Sequence, residues 1–150
     1  MLCFILCMSS ACSEDVNVKY SENFFKYMRE VHKLDIDKLV NEKYYVVLPL
    51  QGCESCIFSI ISEVKDLDKL STQKIVYIYV GKYLGNNSMI INFLKEAERS
   101  NDILYDEMQK IFSYETGFAY PLLVKMKKRN CEIYEEISSK RCHSVFEKIF

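Results

Sequence analysis

Two apolar runs, each about as long as one β-strand, limit the folds that this chain can adopt. They are residues 44–50 and residues 74–80, and both are rich in β-branched and aromatic side chains. The continuous apolar character of residues 44–50 predicts a strand that is buried on both faces, and residues 74–80, which are apolar after Lys74, predict a second strand. Residues 53–67 lie between them and have apolar side chains at helical spacing. The two runs are therefore predicted to form a parallel pair, joined by a helix on one face of the sheet.

The segments that flank this unit predict two further helices. Ser21 is expected to cap a packing helix that has apolar residues at positions 24, 25, 28 and 31. Asn86 or Asn87 is expected to cap a second helix, with apolar residues at positions 89, 90, 93, 94 and 97. Both helices thus have one apolar face with which to cover the sheet.

The C-terminal part of the chain predicts a hairpin and a last helix. Residues 121–127 and residues 131–137 have strand-like patterns and are separated by a turn over residues 128–130, so they predict a hairpin at an edge of the sheet. Residues 139–150 predict an amphipathic helix. Residues 103–114 leave two interpretations open, namely a strand followed by a helical turn, or two short strands.

Length and composition place these elements in one globular domain. The chain has 150 residues, of which 49% are hydrophobic and 27% are charged, which suffices for one core and leaves no room for a second domain. Its formal net charge of −1 gives no electrostatic footprint for nucleic acid. A nucleic-acid partner is therefore not expected.

The N-terminus is similar to a bacterial lipoprotein signal. Residues 1–11 are apolar and then small, and Cys12 follows them directly before an acidic stretch. In this pattern the small residues form the cleavage site and the Cys becomes the acylated first residue of the mature chain. We therefore expect Cys12 to be the lipid anchor of an envelope protein that faces the periplasm or the cell surface. The alternative is an apolar N-terminal strand or tail of a cytosolic protein.

On this interpretation the chain divides into a signal over residues 1–12, an N-terminal extension and helix over residues 13–43, and a folded domain over residues 44–150. The four cysteines beyond the signal are Cys53, Cys56, Cys131 and Cys142. An even number of cysteines is typical of an oxidising compartment. One of their three connectivities keeps the pair at 53 and 56 together, and it makes Cys131 and Cys142 a candidate structural disulfide. Alternatively, these two are small buried apolar residues.

Cys53 and Cys56 have C-x-x-C spacing at the point where a predicted strand turns into a helix. Unpaired N–H groups at a helix N-terminus favour a thiolate and lower its pKa, so this position predicts redox chemistry. The alternatives are an inert structural disulfide and half of a zinc site. Zinc usually takes four ligands, and the only histidines of the chain are His32 and His143, so no metal is expected.

The order of these features resembles the thioredoxin fold, from about residue 44 to the end of the chain. The resemblance depends on Gly52-Cys53-Glu54-Ser55-Cys56 after a hydrophobic strand, on Tyr120-Pro121 entering another strand, and on the hairpin and helix that follow. Envelope-anchored thioredoxin-like proteins look closest, because they also combine a lipoprotein-type start with a strand, an Asp and a helical turn before the X-Pro strand. Asp106 occupies that position here. The resemblance implies a three-layer α/β fold, with a central mixed sheet flanked by helices.

The same resemblance implies thiol–disulfide exchange with protein thiols or disulfides, and no cofactor. Cys53 would be the nucleophile and Cys56 would resolve the mixed disulfide. In the family the Pro is cis and faces the C-x-x-C turn, so Tyr120 and Pro121 would bind the substrate chain. The rival hypothesis is a non-catalytic thioredoxin-fold binding lipoprotein with a structural disulfide.

Two residues of the motif differ from the best-known members of the family. Gly52 stands where a Trp usually precedes the first Cys. Glu54 places a carboxylate beside Cys53, which opposes the thiolate, raises the pKa of the thiol and makes the disulfide a weaker oxidant. The motif therefore favours a reductant.

Overall fold

The computed structural model describes residues 11–35, 43–52, 54–55, 57–62, 75–100, 102–119, 121–127 and 130–137. Its elements in chain order are α1 (Ala11–Val31), β1 (Tyr44–Pro49), α2 (helical residues 54–55 and 57–62), β2 (Ile75–Val80), α3 (Ser88–Ser100), β3 (Asp102–Asp106), a 3-10 helix (Lys110–Tyr114), β4 (Leu122–Lys127) and β5 (Asn130–Glu136). Residues 102–114 thus follow the first of the two interpretations, a strand and then a helical turn.

The five strands form one mixed sheet in the order β3-β2-β1-β4-β5. The predicted parallel pair of β1 and β2 is confirmed, with Tyr44 opposite Ile75, and β3 extends it in parallel on the far side of β2. The predicted hairpin is also confirmed, since β4 and β5 are antiparallel and β5 is an edge strand. Asn130, however, belongs to β5 and pairs with Lys127, so its assignment to the turn is wrong.

Helices cover both faces of the sheet, which gives three layers. On one face, α2 and α3 pack with apolar side chains against Val46 and Leu48 of β1. On the other face, α1 packs against Tyr45 and Val47 of the same strand. Because alternate side chains of a strand point to opposite faces, β1 contributes to both clusters. β1 is therefore buried on both faces, as its continuous apolar run predicted, and β2 is buried on both faces as well.

Helix α1 begins earlier than its apolar pattern indicates. Ser21 was expected as its N-cap, but the helix begins at Ala11, so Ser21 is an interior residue and that prediction is wrong. Contacts from distant parts of the chain support the additional turns. The Tyr20 and Tyr134 ring centroids are 6.3 Å apart, and Lys19 Nζ lies 3.1 Å from Glu115 Oε2. Apolar periodicity does not register contacts of this kind.

Helix α3 begins as predicted. The Asn87 side-chain oxygen accepts hydrogen bonds from the backbone N–H groups of Met89 and Ile90, at 3.0 and 3.4 Å. An N-cap of this type satisfies donors that have no partner within the helix. Asn87, rather than Asn86, is therefore the cap.

Several predicted segments lie outside the described residues, namely residues 1–10 of the signal, residues 63–67 of the helix predicted over 53–67, residues 128–129 of the turn, and the helix over residues 139–150. Ala11 and Cys12 are the first residues of α1. Within the described ranges, every helix is too short or too polar to cross a lipid bilayer.

Candidate functional site

The carboxyl ends of the three parallel strands β1, β2 and β3 lie at the same end of the sheet. The strand order reverses at β1. β1 lies between β2, which is the next strand in the chain, and β4, which comes much later. Open α/β sheets bind ligands outside the strand ends at such a switch point. Backbone hydrogen bonds join the ends, since Leu50 N donates to Val80 O at 2.9 Å and Gly81 N donates to Asp106 O at 3.0 Å. The turn after β1 is therefore the candidate site.

The sequence places its redox motif in this turn. Cys53, Cys56 and Tyr120 lie outside the described residues, so their roles remain predictions. Pro121 is described and buried. Val47 pairs with Leu122 in the antiparallel register, so Pro121, one residue earlier, lies at the carboxyl end of β1. The structure thus brings Pro121 and the residues that flank Cys53 to the same end of the sheet.

Gly52 has a backbone conformation that explains why no Trp stands before the first Cys. Its φ is +144°, in the range that side chains with a Cβ rarely adopt, although a Cβ would meet no atom within 4 Å. Conformation, not lack of space, therefore favours glycine at this position. A Trp in the same conformation would strain the turn.

The turn is also tied to the loop after β3. Gln109 Nε2 donates a hydrogen bond to Gln51 Oε1 at 2.7 Å, across 58 residues of sequence. Gln109 itself has a left-handed conformation, with φ of 55°. This contact fixes the loop after β3 beside the residue that precedes Gly52.

Tyr83 is a site residue that the sequence did not reveal. Its hydroxyl donates to Glu54 Oε1 at 2.7 Å and accepts from the backbone N–H of Asn87 at 3.2 Å. Desolvation, and then the hydrogen bond to Glu54, raise the pKa of Tyr83, so the hydroxyl stays protonated and donates. The carboxylate between the two predicted redox cysteines is therefore held at the start of α3. No spacing or motif marks Tyr83, because it lies 29 residues from Glu54 in a loop.

Gly85 leaves room for this pair. A Cβ at position 85 would collide with Glu54 Oε1 and with the Tyr83 hydroxyl. Both of these atoms are at the far ends of their side chains, so a larger residue would displace the side chains rather than the backbone. Glycine at position 85 therefore permits the contact between Tyr83 and Glu54.

A buried polar network lies beside the site, at the end of β3. Asp106 is 3% exposed, and its carboxylate accepts from Lys110 N and Ile111 N at 2.9 Å each. It also accepts from the Tyr27 hydroxyl at 3.1 Å, and Tyr27 O lies 2.9 Å from His32 Nε2. Because a carboxylate only accepts, Tyr27 donates to Asp106 and His32 donates to Tyr27. The network joins α1, β3 and the 3-10 helix.

This network predicts a pH dependence of stability through His32. Burial lowers the pKa of His32 below 6.5, and Asp106 opposes this with a smaller raising effect. The unfolded chain therefore takes up the proton at a higher pH than the folded chain does. The stabilisation that is present above about pH 6.5 is lost progressively as the pH falls from that value through the lower pKa of the folded chain. We expect the wild type to lose stability relative to His32→Gln between about pH 8 and pH 5, measured by urea unfolding. Parallel pH curves for the two proteins would contradict this.

Cys131 differs from the predicted redox pair in the reactivity of its thiol. It carries a free thiol on β5, partly buried on the α1 face of the sheet. Burial raises the pKa of this thiol to about 11, against a smaller lowering effect of Ser21. Cys131 thus fits the alternative of a small, inert buried residue, and Cys142, its candidate disulfide partner, lies outside the described residues. Within the described part of the chain, no three His, Cys, Asp or Glu side chains are grouped to hold a metal ion.

A pocket of about 450 Å³ lies next to Tyr83, between α3 and the ends of β2 and β3. Leu50, Tyr79 and Leu94 contribute apolar surface to it, and charged residues such as Lys82 and Glu98 also line it. Pockets that combine apolar walls with a few polar groups are typical ligand sites. This pocket is therefore a second concave feature near the turn after β1.

Comparison with known proteins shows a structural similarity. No protein-family model matches the sequence, and no curated protein matches it significantly. Among solved structures, the chain is similar to the solution structure of a thioredoxin-like protein in the oxidized form, with a TM-score of 0.51 and 14% sequence identity over 77% of this chain and 83% of that chain. Similarity at this identity shows the fold alone. Together with the mixed five-stranded sheet and its two helical layers, it establishes that this chain has a thioredoxin-like fold.

Proposed function

We propose that the chain is a thiol–disulfide oxidoreductase that acts on protein disulfides through Cys53 and Cys56. The observation that supports this best is the register of β1 and β4, since it brings Pro121 to the end of the sheet where Gly52 and Glu54 flank Cys53. In a thioredoxin-like fold, that is where a C-x-x-C turn and a substrate-binding Pro would meet. Tyr120 and Pro121 are proposed to bind the substrate chain.

The proposed exchange has two steps. The Cys53 thiolate attacks one sulfur of a substrate disulfide, which forms a mixed disulfide and releases one substrate thiolate. The Cys56 thiolate then attacks the Cys53 sulfur, which releases the second substrate thiolate and leaves a Cys53–Cys56 disulfide. Two electrons pass from the protein to the substrate, and an external dithiol must reduce the protein again. The Glu54 carboxylate beside Cys53 favours this reducing direction.

The rival hypothesis is a non-catalytic binding protein, and the pocket beside Tyr83 favours it. One experiment separates the two hypotheses. The wild type would be equilibrated in glutathione redox buffers and assayed for reduction of insulin disulfides by dithiothreitol. Turnover together with a reduction potential above roughly −300 mV supports the oxidoreductase. A potential well below roughly −300 mV without turnover would instead indicate a structural disulfide.

We also propose that the protein is anchored in a bacterial cell envelope through acylated Cys12. Since α1 begins at Ala11, a mature chain that starts at Cys12 keeps all of that helix except its first residue. Mass analysis of the N-terminus is expected to show a lipid-modified Cys12. An unmodified Met1 would contradict the anchor and would leave the cysteines in a reducing compartment.

A further inference from the structure

The contact between Tyr83 and Glu54 has a consequence for the chemistry of the neighbouring thiol. Glu54 directly follows Cys53 in the chain, so the distance from its carboxylate to the thiol depends on where its side chain points. In the structure the Tyr83 hydroxyl holds Glu54 Oε1 at 2.7 Å, although Glu54 is an exposed residue. An exposed glutamate without such a partner samples several rotamers. Tyr83 therefore selects one position for this charge.

We propose that Tyr83 is a positioning residue for the C-x-x-C turn, an inference that rests on the proposed function. Tyr83 holds the Glu54 carboxylate at the start of α3 and thereby limits the effect of its charge on the Cys53 thiolate. Three contacts carry this proposal. Tyr83 donates to Glu54, the backbone N–H of Asn87 donates to Tyr83, and the space above Gly85 accommodates both side chains.

The electrostatic reason is the surroundings of the carboxylate. Asn87 is the N-cap of α3, and the unpaired N–H groups at a helix N-terminus carry partial positive charge. Through the Tyr83 hydroxyl, the Glu54 charge is linked to that end of the helix and is partly compensated there. If the hydroxyl is removed, this compensation is lost, and the fuller negative charge of a carboxylate one residue from Cys53 disfavours a second negative charge on the thiol. The thiolate then becomes less populated.

The test is a double-mutant cycle that is read out at Cys53. The variants are Tyr83→Phe, Glu54→Gln and the double variant, and the measurement is the rate at which iodoacetamide alkylates Cys53 in the reduced protein at about pH 7, followed by the mass of its peptide. Tyr105→Phe is the matched control. It removes the same hydroxyl from a tyrosine that donates to Glu98 Oε1 at 2.8 Å, a glutamate outside the C-x-x-C motif.

We expect Tyr83→Phe to slow the alkylation of Cys53 by about threefold, because the released carboxylate disfavours the thiolate. Glu54→Gln is expected to accelerate it by about threefold, and adding Tyr83→Phe to Glu54→Gln should change nothing further. Tyr105→Phe should react like the wild type. Gly85→Ala is a second route to the same end, since its Cβ separates Tyr83 from Glu54 without altering either residue, and it should reproduce the rate of Tyr83→Phe.

Two results would overturn the proposal. One is an unchanged rate of Cys53 alkylation in Tyr83→Phe. The other is that Tyr83→Phe slows the alkylation equally in the wild type and in Glu54→Gln. Failure of the proposed function is recognised separately. It appears as a wild type that neither reduces insulin nor exchanges its disulfide with glutathione, whereas the alkylation of a reduced Cys53 is measurable in either case.

Discussion

Cys53→Ser is expected to lower the rate of insulin-disulfide reduction to the uncatalysed background, a loss of at least about a hundredfold. The reason is that the thiolate is the nucleophile in the first step, and a serine hydroxyl neither ionises near neutral pH nor forms a mixed disulfide. The measurement is the rate of insulin reduction with dithiothreitol as electron donor. Cys56→Ser leaves the first step intact, so this variant should accumulate a covalent mixed disulfide that a non-reducing gel detects.

Cys131→Ser is the matched control for this loss. Burial raises the pKa of Cys131 to about 11, so the neutral thiol dominates at neutral pH. This variant should retain the turnover of the wild type. Full turnover in Cys53→Ser, or an equal loss in Cys131→Ser, would contradict the assignment of the nucleophile.

The second large effect is expected at Asp106. Replacing it with alanine should lower the free energy of unfolding by about 3–5 kcal/mol, because the change leaves buried donors without their acceptor. These donors are the Tyr27 hydroxyl and the backbone N–H groups of Lys110 and Ile111, and Asp106 itself is 3% exposed. Unfolding in guanidinium chloride, compared at equal slopes, gives the difference directly.

Asp102→Ala supplies the control within the same strand. Asp102 is exposed, and its carboxylate lies 3.8 Å from Lys43 Nζ, a separation at which an exposed ion pair contributes about 1 kcal/mol or less. A loss at Asp106 no larger than the loss at Asp102 would show that the buried network does not stabilise the fold.

The strands were predictable because their signal is local. Residues 44–50 and 75–80 are apolar without interruption, and a strand that packs between two helical layers must present apolar side chains to both. The direction of their pairing followed from the length of the connection. The N-cap of α3 was equally predictable, since an N-cap acts within its own helix turn.

The beginning of α1 was not predictable in this way. Its first turns have no apolar periodicity, and their supporting contacts, from Tyr20 to Tyr134 and from Lys19 to Glu115, join residues about a hundred positions apart. Asp106 was marked by its place before a helical turn, but its partner Tyr27 from α1, and His32, which follows α1 and binds Tyr27, were not. They become neighbours only because α1 packs on one face of the sheet and against the 3-10 helix.

The features of the candidate site are likewise of two kinds, those that follow from adjacency in the chain and those that depend on contacts between distant residues. By itself, the sequence determined that a C-x-x-C pair follows a buried strand and that Glu54 stands beside Cys53, because both are matters of adjacency in the chain. Only the tertiary structure decided where the charge of Glu54 is held, since Tyr83 reaches it from the loop after β2. It likewise decided that Pro121 lies at the end of β1. Such contacts depend on how parallel and antiparallel strands are ordered in the sheet, and no local pattern records that order.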